Sequence, residues 1–60
     1  MANGIAHLRH ETYAERVEQA MYDLLALVDD GAEYPDALWK VSQRYAVKSK
    51  DVQAAYDTLC

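Results

Sequence analysis

Residues 38–59, LWKVSQRYAVKSKDVQAAYDTL, decide how this 60-residue chain folds. Apolar side chains recur at Leu38, Val41 and Tyr45, and again at Val52, Ala55, Tyr56 and Leu59. Steps of three and four are the spacing of one buried helix face, so each set marks a helix. Pro35 fits the first turn of the earlier one, where its missing N–H leaves no bond unmade, and Asp36 complements the positive helix terminus. Tyr34 and Pro35 therefore read as a helix entry. Ser49 stands where a hydroxyl caps the later helix. The spacing predicts helices over about residues 35–46 and 49–59, joined by a short turn.

Toward the N-terminus the same periodicity extends. Val17, Met21, Leu24 and Val28 step by four, three and four, with Ala20, Leu25 and Leu27 widening the stripe. Thr12 and Glu15 have the spacing of a capping box, which starts this helix, and Gly31 after Asp29 and Asp30 ends it. Residues 1–11 show little periodicity and read as a flexible arm, leaving residues 12–60 as a single domain. No alternating apolar run suggests a strand, and there is no internal repeat. The expected fold class is all-α: a small three-helix bundle with a helix-turn-helix-like arrangement of helices 2 and 3.

Composition bounds what such a domain can do. Hydrophobic residues make up 52%, with two Gly and one Pro, as in a folded chain. A domain this small buries only about 60% of its unfolded surface, which leaves no room for a large enclosed active site. Five Tyr and one Trp with no Phe give aromatics a polar edge, suited to a contact surface. Cys60, the single cysteine, cannot form an internal disulfide. No apolar run approaches the ~18 residues of a membrane span, and the first residues lack a secretory signal, so a cytoplasmic location is expected.

With Leu38 as position one, the stretch places apolar Val41, Tyr45, Val47, Val52 and Ala55 at positions four, eight, ten, fifteen and eighteen. Small Ser42 stands at position five, where two steeply crossing helices need room. The pattern resembles the helix-turn-helix superfamily over 22 of the 60 residues. Its turn position commonly held by Gly is Ala46 here, which predicts a longer or differently wound turn. The resemblance implies that helix 3 lies in the DNA major groove, with Lys48, Ser49, Lys50, Gln53, Ala54 and Asp57 facing the duplex. Gln53 would pair with adenine, Ala54 would touch a thymine methyl, and the lysines would hold phosphate. Trp39 and Lys40, at the front of helix 2, would face the backbone.

Charge is polarised along the chain. Residues 11–36 carry eight acids and one base, whereas residues 37–50 carry Lys40, Arg44, Lys48 and Lys50 and no acid. A basic segment centred on the turn is what a nucleic-acid footprint requires. Against it stand a net charge of −4 and Asp57 on the proposed reading face. A homodimer presenting two reading helices would offset the deficit.

The candidate DNA-binding residues are thus Lys40, Arg44, Lys48, Ser49, Lys50, Gln53 and Ala54. Tyr22 and Trp39 fall off the apolar stripes and are candidate protein-interface residues, since exposed aromatics are enriched at hot spots. They carry the competing expectation: an acidic adaptor or inhibitor that docks on a larger protein, its helix 1 carboxylates imitating DNA's charge. His7, His10 and Glu11 would share a helical face but lack a further ligand, so no metal is expected. No acid pair, glycine-rich phosphate loop or nucleophile motif is present, and neither an enzyme nor a cofactor is expected.

Overall fold

The computed structural model describes residues 12–59, and every structural statement below concerns these residues. The arm at 1–11, the histidines within it and Cys60 lie outside them. Three helices follow in order: α1 (Tyr13–Asp29), α2 (Tyr34–Tyr45) and α3 (Ser49–Leu59). Each packs against both others, and the described residues contain no strand. Their boundaries fall within a residue or two of those expected from periodicity.

Helix α1 begins where the capping box places it. Glu15 N–H donates to Thr12 Oγ1 at 3.1 Å, and Thr12 N–H donates to Glu15 Oε1 at 2.9 Å. Two donors that a helix start leaves orphaned are thereby satisfied. At the other end Ala32 N–H reaches Leu27 O at 2.9 Å and Gly31 N–H reaches Val28 O at 3.0 Å. This pair of bonds closes the helix, and it needs the left-handed backbone that Gly31 adopts at φ 106°.

Helix α2 ends in the same way with a different residue. Val47 N–H bonds Ser42 O at 3.0 Å and Ala46 N–H bonds Gln43 O at 3.3 Å, with Ala46 at φ 56°, ψ 50°. The turn is therefore neither lengthened nor rewound: residues 46–48 join α2 to α3, and alanine takes the glycine conformation. Closing the helix and burying Val47 outweigh the strain on the Ala46 Cβ. Relief of that strain, set against the entropy glycine adds to the unfolded chain, should make Ala46→Gly more stable by about 0.5–1 kcal/mol. A thermal melt followed by circular dichroism should show Tm rising by roughly 3–6 °C; an unchanged or lower Tm would contradict this account of the turn.

The core consists of Val17, Ala20, Met21 and Leu24 from α1, Ala37 and Val41 from α2, Val47 from the turn, and Val52 from α3. Two expected core residues neither join it nor pack against it: Leu25 is 39% exposed and Leu59 is 50% exposed. Leu25 sits on the edge of α1's stripe away from Leu27, and it is Leu27 that packs against the core. Leu59 ends α3 one turn past Tyr56, whose ring meets that of Tyr34 with centroids 5.3 Å apart. Where α2 and α3 meet, Ser42 is only 3% exposed. Its hydroxyl donates to Leu38 O at 2.7 Å and accepts from Ser49 Oγ at 2.9 Å, so a buried hydrogen bond joins α2 to α3 here.

Candidate nucleic-acid interface

Successive outward positions on a helix recur every three or four residues, and on α3 these are Lys50, Gln53, Ala54 and Asp57. All four are exposed, opposite the buried Val52 and the half-buried Ala55 and Tyr56. The structure thus brings Lys50, Gln53 and Ala54 onto one open row, with Lys48 exposed in the turn at its head. Asp57 stands on the same row and sets a negative charge one turn beyond Gln53. Thr58 Oγ1 donates to Ala54 O at 2.9 Å, and Ala54 itself is exposed.

Ser49 behaves differently from the expectation. It is the first residue of α3 and does not cap it, because its hydroxyl donates to Ser42 Oγ. Lys48 takes the cap position, and its carbonyl accepts from Asp51 N–H at 3.0 Å and Val52 N–H at 3.2 Å. The hydroxyl is drawn toward α2 because the small Ser42 brings the two helices close together there.

Lys40 and Arg44 are not on the α3 row. Ser42 marks the flank of α2 that meets α3, whereas Arg44 reaches α1, its Nη1 lying 2.9 Å from Asp23 Oδ2. Tyr45 donates to the same carboxylate oxygen at 3.2 Å. Lys40, one turn before Arg44 on this flank, pairs with Asp36 at 3.6 Å in an exposed i,i+4 contact. Such pairs contribute little stability, but each places a carboxylate beside a base. Among the described residues, Lys48 and Lys50 have no such ion pair. The basic segment therefore divides into two bases beside carboxylates and two without an ion pair among the described residues.

A contact that sequence periodicity does not signal lies at the head of α3. Tyr13, first residue of α1, donates its hydroxyl to Asp51 Oδ2 at 2.5 Å and accepts from Lys48 N–H at 3.0 Å. Its ring lies against Arg16, whose Cζ is 5.6 Å from the ring centroid. The hydrogen bond to Asp51 raises the phenol above its ordinary value, opposed by the Lys48 N–H, so Tyr13 is a neutral donor throughout the physiological range. Only Tyr13's place immediately after the Thr12 cap hints at such a role.

The candidate protein-interface aromatics are both open, Trp39 at 60% and Tyr22 at 54% exposure. They belong to different helices, Trp39 to α2 and Tyr22 to α1. Among the described residues there is no cluster of three metal-ligating side chains. Nor is any described helix long and apolar enough to cross a membrane. Comparison with known proteins finds no matching family model, no matching curated sequence and no matching solved structure.

Proposed function

We propose that this domain is a small DNA-binding regulator of helix-turn-helix type. In it Lys48 and Lys50 hold phosphate, and Gln53 and Ala54 meet base edges in the major groove. The observation that carries the proposal is the open row of Lys50, Gln53 and Ala54 on a helix whose start is bonded to both other helices. An exposed helix face with mixed basic, amide and methyl groups is a chemically suitable reader. With Lys40 and Arg44 beside carboxylates, one domain offers few charges to phosphate, so a two-fold pair is part of the proposal. Titration into mixed-sequence duplex at low and then rising salt should show binding that weakens steeply with salt. Absence of binding at low salt would overturn the reading.

The exposure of Trp39 supports a second reading, an adaptor or inhibitor that docks on a larger protein. A Trp at 60% exposure on α2 is a suitable anchor, and the α1 carboxylates supply a complementary or DNA-like charge. In this reading Trp39→Ala abolishes capture of a partner from the native host while duplex binding is absent in the wild type. Equal capture by both forms would remove Trp39 as the anchor.

A further inference from the structure

We infer that Tyr13 is a positioning residue for the α3 reading face: its hydroxyl completes the cap of α3 and holds the Asp51 carboxylate against α1. The inference rests on the DNA-binding reading. It follows from comparing the two helix starts. In α1 the N3 carboxylate of Glu15 bonds the cap N–H of Thr12 directly, at 2.9 Å. In α3 the equivalent groups are the Lys48 N–H and the Asp51 carboxylate, and aspartate is one methylene shorter than glutamate. The Tyr13 hydroxyl stands between them, accepting from one and donating to the other. A third helix thus supplies the link that the local sequence does not make.

Two consequences follow for the reading face. The start of α3 is tied to the start of α1, whose own capping box fixes Tyr13 in place. Asp51 is adjacent to Lys50 and one turn before Ala54, yet its charge is directed toward α1 and away from the outward row. Without the hydroxyl, Lys48 N–H turns to water and the Asp51 carboxylate is freed beside Lys50, where it joins Asp57 in repelling phosphate.

A mutant cycle on duplex affinity at fixed low salt tests this, with far-UV circular dichroism showing each variant folded. Tyr13→Phe should weaken binding about fivefold, the scale of one misplaced surface charge. Asp51→Asn should change wild-type affinity by less than about twofold, but in the Tyr13→Phe background it should restore most of the loss. Hydrogen exchange at the Lys48 amide should quicken in Tyr13→Phe. Wild-type affinity in Tyr13→Phe, or an equal effect of Asp51→Asn in both backgrounds, would overturn the inference while leaving DNA binding intact. Failure of the wild type to bind would instead remove the DNA reading, and this inference with it.

Discussion

Leu24→Ala leaves the domain largely unfolded. Leu24 is fully buried at the centre of the α1 stripe, facing both other helices' contributions to the core. Truncating such a leucine removes its transfer energy and leaves a cavity, at a cost of about 3–5 kcal/mol. A domain this small with no disulfide among its described residues rarely has more than about 3–5 kcal/mol of stability, so the loss is comparable to the whole. Far-UV circular dichroism should show most helical signal gone, and urea titration should show no cooperative transition. Leu25→Ala is the control: at 39% exposure the neighbouring leucine should cost under about 1 kcal/mol and keep a sharp transition. A Leu24→Ala domain that melts as cooperatively as the wild type, at nearly the same urea concentration, would refute the assignment of the core.

Reversing Lys48 and Lys50, which have no ion pair among the described residues, should give the second large effect. On the proposed DNA-binding reading, Lys48→Glu with Lys50→Glu should lower duplex affinity by about two orders of magnitude at low salt, because the two proposed phosphate contacts would become two repulsions. The fold should survive. Both side chains are exposed, and acidic residues at the start of α3 suit the positive helix terminus. Loss of binding with an unchanged melt therefore separates recognition from stability. Reversal of Lys40 and Arg44, which stand beside Asp36 and Asp23, should have a smaller effect on affinity. Equal loss from both pairs would show that the carboxylate partners do not screen Lys40 and Arg44 from DNA.

Much of the fold was legible because its signals are local. Thr12 and Glu15, Gly31, Pro35 and the three apolar stripes each act within a few residues, and the helices begin and end near them. Periodicity also identified the outward row of α3, since the face opposite Val52 follows from 3.6 residues per turn. It could not say how wide a stripe neighbouring helices would cover, which is why Leu25 and Leu59 were expected inside and lie at the surface. At Ala46 the sequence suggested a departure from the usual turn, yet the paired backbone bonds and the buried Val47 impose left-handed geometry on a residue that disfavours it.

The candidate site was less legible because its contacts join distant residues. Arg44 and Asp23 are 21 positions apart, and Tyr13 and Asp51 are 38 apart. A run of bases with no acid among them looks like one patch until packing brings α1's carboxylate to Arg44. By itself, then, the sequence determined the three helices, the capping box and glycine stop of α1 and the open face of α3, because each depends on backbone bonding and side-chain spacing within a few turns. Only the tertiary structure decided that Arg44 has a carboxylate partner, where the Ser49 hydroxyl goes and how α3 is capped. Those outcomes depend on how α1 packs against the other two helices around Leu24 and on the Ser49–Ser42 hydrogen bond that joins α3 to α2.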